Sequence, residues 1–201
     1  MIKKTFIVLL VALFSQVIAS CVNCHCDPPQ TISYTHKSIS LRNLDMGLPT
    51  PKISSSGVIS AINYGVNIQV VTDRLSLLKQ QFSWGLIQSA YACSCMENTY
   101  IPKESVTSIK IFSAYDFDDA HPSGTDLGLY FKAKGNNNNL VGLADYLKSF
   151  NDFYHIPQTI FYEGIFLQVP PKNSKRHKFK IAITLSDGRV LTSETTEIEL
   201  T

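Results

Sequence analysis

Phe179-Lys180-Ile181-Ala182-Ile183-Thr184-Leu185-Ser186-Asp187-Gly188-Arg189-Val190-Leu191-Thr192-Ser193-Glu194 reads as two strands and a turn. Phe179, Ile181, Ile183 and Leu185 recur at every second position, which places them on one face of a half-buried strand. Asp187-Gly188 supplies the turn. A two-residue loop would set Ile181 opposite Glu194 on the buried face, leaving a carboxylate in apolar surroundings. A three-residue loop, Ser186-Asp187-Gly188 with Gly188 left-handed, pairs Ile183 with Leu191 and Ile181 with Ser193 instead. It also sets Lys180 across from Glu194 on the solvent face, a favourable cross-strand contact. The three-residue register is the one expected.

The same period recurs upstream. Tyr34 to Asn43 places Ile39 and Leu41 between polar neighbours. Ile62, Tyr64, Val66, Ile68 and Val70 line one face of the next strand. Val106 to Tyr115 carries Ile109 and Ile111 inward, Leu127, Leu129 and Phe131 alternate in another strand, and Ile160 to Val169 ends at Pro170-Pro171. Leu48-Pro49-Thr50-Pro51 and Ser54-Ser55-Ser56-Gly57 are loop chemistry, as are Gly135 and the asparagines 136–139. Two stretches change period. Leu75, Leu78, Phe82 and Leu86 suggest a helix over Asp73 to Ser89, capped by Thr72 or Asp73 and closed near Gly85, with Trp84 as core filler. Leu140, Leu143, Ala144, Leu147 and Phe150 suggest a second helix, capped by Asn139. Six or seven strands with two short helices predict a mainly β chain, an antiparallel β-sandwich.

Of 18 basic and 16 acidic side chains, two lysines, Lys3 and Lys4, stand in the first 20 residues with no acid beside them. The remaining 181 residues therefore balance at zero net charge, and they suffice for one domain with a proper core. A nucleic-acid partner is not expected, because displacing counterions from phosphate needs a strong positive field. Lys3 and Lys4 precede the apolar run Phe6 to Phe14 and the small-residue exit Ile18-Ala19-Ser20-Cys21, the layout of a secretory signal peptide. That run is too short to span a bilayer, and no later apolar run approaches the ~20 residues required.

Ile18-Ala19-Ser20-Cys21 resembles the lipobox of bacterial lipoproteins. The resemblance implies that Cys21 is acylated and becomes the mature N-terminus, with two or three chains giving a durable anchor. An ordinary secreted protein cut after Ala19 is the competing reading. The closing pattern from His177 to Leu200 resembles the last two strands of immunoglobulin-like and fibronectin-like extracellular domains. With the lipobox, the whole chain resembles the small envelope lipoproteins of Bacteroidota. The expected organisation is a signal peptide over 1–20, a lipid-anchored stem over 21–33 and one sandwich domain over 34–201. The expected location is the bacterial outer membrane, on its periplasmic or its surface face. In the resembling lipoproteins an acidic stretch after the cysteine accompanies surface display, and Val22-Asn23-Cys24-His25-Cys26-Asp27 departs from it.

With Cys21 lipidated, Cys24, Cys26, Cys93 and Cys95 remain as two Cys-x-Cys pairs. An oxidising compartment favours disulfides for an even set. Closing a ring within Cys-x-Cys is sterically awkward, so cross-pairing between the two motifs is expected. Each such bridge would close a loop of about 70 residues, for roughly 4 kcal/mol on the loop-entropy model. Zinc is the rival, with His25 as a fifth possible ligand, although structural zinc sites space paired cysteines by two to four residues.

Asp116, Asp118, Asp119, His121 and Asp126 crowd one loop, and its carboxylates, Asp116, Asp118, Asp119 and Asp126, are weak candidates for a calcium site. Ala120 and His121 fall where the calcium-hand pattern needs an oxygen ligand and a glycine, which favours a solvated connecting loop. Lys172, Lys175, Arg176, His177, Lys178 and Lys180 form a basic cluster suited to anionic polysaccharide or lipid headgroups, or to guarding a strand edge. His36 and His155 have no partner visible in the sequence. No nucleophile elbow, metalloprotease helix, phosphate loop or dinucleotide fingerprint occurs. The expectation is a non-catalytic, lipid-anchored envelope protein without cofactor, contacting the membrane through its lipid and acting in binding or assembly with another envelope protein or a glycan. A carbohydrate-binding accessory lipoprotein and an envelope hydrolase with paired carboxylates are the alternatives.

Overall fold

The computed structural model describes residues 28–47, 51–74, 98–135, 139–153, 161 and 163–201. In chain order the strands are β1 (Thr31–Asp45), β2 (Lys52–Ile53), β3 (Val58–Ile59), β4 (Tyr64–Arg74), β5 (Thr99–Pro102), β6 (Val106–Ser113), β7 (Phe131–Lys134) and β8 (Leu140–Gly142). Helix α1 (Leu143–Phe153) follows, then β9 (Ile165–Leu167), β10 (Arg176–His177), β11 (Phe179–Leu185), β12 (Val190–Glu194) and β13 (Ile198–Leu200). Spatial proximity divides the chain into two units, residues 1–31 with 77–99 and residues 32–76 with 100–201. In the first, Thr99 donates its N–H to the Gln30 carbonyl at 3.0 Å, and Asn98 Oδ1 accepts from Gln30 N at 2.9 Å. The second carries the sandwich.

The closing hairpin has the three-residue register. Lys180 faces Glu194, Ile181 faces Ser193 and Ile183 faces Leu191, while Gly188 sits at φ +86°. Phe179, Ile181, Ile183 and Leu185 are all buried. β11 also pairs with β6, with Ile181 against Ile111 and Ile183 against Ile109, so the sheet runs β12-β11-β6. A larger sheet runs β2-β1-β4-β9-β7-β8, with β5 on β1, and a third runs β10-β13-β3. Within these sheets β13 pairs with β3 in parallel, and β5 runs beside β1 in the parallel sense, with Thr99 N–H on the Gln30 carbonyl and Lys103 N–H on the Tyr34 carbonyl; the other described pairings are antiparallel. These sheets pack against each other around one core, as expected for a β-sandwich. Phe179 lies at their meeting point. Its ring stacks on Tyr64 of the large sheet at 5.2 Å and on His177 of β10 at 5.4 Å, and meets Phe131 edge-on at 5.6 Å.

Several expected elements differ in extent. Ile62 does not open the strand that follows it. It lies in a 3-10 turn, 77% exposed, and the alternation begins at Tyr64. β4 runs on through Arg74, with Asp73 opposite Thr35 and Thr72 opposite His36, so Thr72 and Asp73 are strand residues and not helix caps. Pairing with β1 outweighs their capping preference. The rest of the expected first helix, with Trp84, lies outside the described residues. Leu129 leaves the expected strand too: Gly128–Tyr130 is a 3-10 turn and Leu129 is 94% exposed. Asn139 is not a helix cap, because residues 140–142 pair with β7 and α1 starts only at Leu143. Its buried face is Leu143, Leu147 and Phe150, while Ala144 is exposed. The strand expected over 160–169 shortens to Ile165–Leu167, because Phe161 and Gly164 take φ +52° and +95° in a turn before it.

β1 carries a further irregularity. Its register shifts between His36 and Ser38, a bulge that moves the inward positions from even to odd numbers. Ile32, Tyr34 and His36 point inward before it, and Ile39 after it. That shift is why His36 is buried.

Candidate functional site

The outer face of the β12-β11-β6 sheet is set by the hairpin alternation. With Phe179, Ile181 and Ile183 turned inward, Lys180 and Ala182 turn out, as do Phe112 on β6 and Thr192 on β12. In register, Phe112 stands across from Lys180, and Ala182 stands between Lys110 and Thr192. Small Ala182 leaves a depression between larger neighbours. The loop leaving β6 builds a wall beside it. Gly124 donates its N–H to the Ser113 carbonyl at 2.9 Å, and Ser123 Oγ donates to the Ala114 carbonyl at 2.9 Å. Gly124 has φ +82°, the left-handed conformation glycine adopts without strain. The result is a groove of about 550 Å³ floored by Phe112, Ala182 and Thr192, with Lys178 and Lys180 at its rim.

The charge around this groove is uneven. Lys178 pairs with Glu194 at 2.5 Å, so the carboxylate directly across from Lys180 is taken by its neighbour. That pairing holds the Glu194 carboxyl below its usual range. Among the described residues, Lys110 and Lys180 have no ion-pair partner within 4.0 Å, and both are exposed. Elsewhere in the basic cluster, Arg176 forms an ion pair with Glu197, whose other oxygen accepts from the Tyr115 hydroxyl at 2.5 Å. Those two bonds, Tyr115 first, hold Glu197 below its usual range. Lys172 and Lys175 lie on the segment leading to β10.

His177 is not a surface cation. It is buried, and its ring is locked by two partners. Nε2 donates to the Ser174 carbonyl at 2.8 Å, which leaves Nδ1 to accept from Ser113 Oγ at 2.8 Å. Burial lowers its pKa.

The loop from Asp116 to Asp126 uses its carboxylates to hold its own shape. Asp116 accepts from Ser123 N at 2.7 Å, and Asp126 accepts from Ile111 N at 3.1 Å and Gly128 N at 2.9 Å. Asp119 accepts from Asn173 Nδ2 at 3.0 Å. Asp118 takes the most. One oxygen accepts from Ala120 N and His121 N, both at 2.9 Å, and from His121 Nδ1 at 2.8 Å, while the other accepts from the Tyr130 hydroxyl at 2.9 Å. The His121 and Tyr130 bonds lower the Asp118 pKa, and Asp118 raises that of Tyr130. Among the described residues no group of three or more His, Cys, Asp or Glu is placed to hold a metal ion.

One polar cluster has no signature in the sequence. Glu104 is buried, accepting from Thr35 Oγ1 at 2.8 Å and pairing with Arg189 Nη2 at 2.7 Å. Arg189 also donates to the His36 carbonyl at 2.8 Å and to Asp187 at 2.7 Å. His36 Nδ1 lies 3.8 Å from Glu104 Oε2, beyond hydrogen-bond reach, and is buried without a hydrogen-bond partner among the described residues. Burial lowers the His36 pKa, against an opposing pull from Glu104. Thr35, Glu104 and Arg189 are far apart in the chain, so only the fold joins them. Cys21, Cys24, Cys26, Cys93, Cys95 and His155 lie outside the described residues.

The fold and its groove define a β-sandwich domain with a basic, aromatic-floored outer face. The chain belongs to the family described as a domain of unknown function, DUF5034, whose model matches residues 36–196. No curated protein and no solved structure matches it.

Proposed function

We propose that this protein is a non-catalytic lipoprotein of the bacterial envelope, of the kind found in Bacteroidota, and that its sandwich domain binds or helps assemble an envelope component. The leader ending in Ile18-Ala19-Ser20-Cys21 supports a lipid anchor at Cys21 on the outer membrane. One observation carries the binding role. The carboxylates of the Asp116–Asp126 loop accept from that loop, its flanking strand or nearby residues, while Lys180, without an ion-pair partner among the described residues, lines an open groove and Lys110 stands across from its Ala182. The acids are committed to structure, and the cations beside Phe112 face outward. In an exported chain, Cys24, Cys26, Cys93 and Cys95 are expected as disulfides between the two motifs.

Radiolabelled palmitate should be incorporated by the wild-type chain in cells and lost in Cys21→Ala. A variant that still takes up label removes the anchor from the proposal. Crosslinking in intact cells through a C-terminal tag, with protease shaving, reports the partner and the membrane face together. Failure of any envelope component to crosslink would count against the binding role.

A further inference from the structure

We propose that the groove on the outer face of the β12-β11-β6 sheet is a binding site for an acidic saccharide, one bearing uronic-acid or sulfate groups. This rests on the binding reading above and names its ligand class. Three features of the site point the same way.

The first is shape. Ala182 sits between the bulkier Lys110 and Thr192, and the Ser123–Gly124 turn rises on the β6 side. The depression lies on the sheet surface and is open to solvent, which suits a saccharide. Its volume of about 550 Å³ lies within the range of ligand clefts.

The second is the floor. Phe112 is half-buried, so its ring is held by the sheet while part of it faces the groove. The C–H face of a sugar ring is apolar and slightly positive, and it complements the negative face of an aromatic ring. Thr192 adds a hydroxyl on the same floor, able to donate or accept.

The third is charge. The groove carries one carboxylate, Glu194, and Lys178 already neutralises it at 2.5 Å. Lys180 stands across from Phe112, and Lys110 stands across from Ala182, one row further along the sheet. Lys180 lines the groove and Lys110 neighbours it by register, and neither has an ion-pair partner among the described residues. A neutral sugar would leave both unanswered, whereas carboxylate or sulfate groups along a saccharide would meet them in charge-assisted hydrogen bonds.

The test is calorimetric titration of the full-length protein with an oligogalacturonate and a heparin oligosaccharide, alongside neutral maltohexaose. Saturable binding of an acidic oligosaccharide, absent for maltohexaose and weakened as sodium chloride is raised, is expected. The double substitution Lys110→Ala with Lys180→Ala should weaken it by about five- to ten-fold. Phe112→Leu keeps apolar bulk on the sheet but removes the π face, and should weaken binding by roughly three- to ten-fold with unchanged urea unfolding. Equal binding of maltohexaose, or full acidic-glycan binding by the lysine double variant, overturns the proposal. If neither acidic glycan binds, yet the in-cell crosslink is lost in the lysine variant, the ligand class is wrong and the binding reading survives. If the crosslink is also unchanged by groove substitutions, both fall.

Discussion

Arg189 shows how much one side chain can join. It leaves the hairpin beside Gly188 and reaches Glu104, Asp187, the His36 carbonyl and Thr35 Oγ1. Glu104 is buried and depends on it for charge compensation, while Arg189 itself is 44% exposed. Removing one partner of a buried pair strands the other. Because solvent reaches Arg189 and screens part of the pair, Arg189→Ala should lower the urea midpoint by less than the loss of a fully buried partner would. Adding Glu104→Gln should recover part of that loss, since the stranded group is then neutral. Urea midpoints of the single and double variants test the coupling, and an additive double variant would refute it. None of this was visible in the sequence. Glu104 and Arg189 look like ordinary surface charges there, and burial comes only from what packs over them.

At the scale of elements, two glycines do different work. Gly164 takes φ +95° just before β9, and a Cβ there would lie 2.9 Å from the Val66 carbonyl and 3.1 Å from Leu44. Gly188 takes φ +86° in the closing turn, where a Cβ would meet nothing within 4 Å. Gly164→Ala should therefore cost about 2–3 kcal/mol, from backbone strain plus collision, and Gly188→Ala about 1 kcal/mol from strain alone. Equal losses for the two in urea unfolding would show that the approach of Gly164 to β4 is unimportant. Strands with a local reason to pair were legible: β4 from Tyr64, β6, and the β11–β12 hairpin down to its register. The solvent-face contact in that hairpin was legible only as a pairing, because the ion pair forms from Lys178, next to the expected Lys180. The bulge between His36 and Ser38 hid half of β1, since a shift of one residue reverses which side chains face inward. Leu129 and Leu140 deceived for a related reason. Their spacing suits a strand or helix face, yet Leu129 falls in a 3-10 turn and Leu140 in a short edge pairing.

At the scale of the molecule, two buried imidazoles tie stability to pH. His36 and His177 both have native pKa values lowered by burial. Between those native values and the unfolded value of about 6.5, the unfolded chain binds more protons than the folded one. Stability should therefore be level above about pH 7 and fall as the pH drops below about 6.5. Asp118, Asp187, Glu194 and Glu197 have native values lowered by their partners. Their contribution is present above about pH 4 and disappears as the pH falls through their native values, a separate and more acidic limb. Urea midpoints from pH 8 to pH 5 should show the first limb, and His177→Gln should flatten it while lowering stability overall. A variant with the wild-type slope would remove His177 as its source.

The sequence by itself determined the compartment expectation, the β class and the closing hairpin, because each rests on neighbours in the chain. A charged leader, a period of two and an Asp-Gly turn all act within a few residues. It also marked the two polar clusters, but not their roles. Only the tertiary structure decided that the aspartates brace their own loop, that His177 is buried between Ser113 and Ser174, and that Lys180 stands across from Phe112 on the neighbouring strand. Cross-strand neighbours are distant in the chain and adjacent only through register, so a groove built from three strands and a turn has no linear signature.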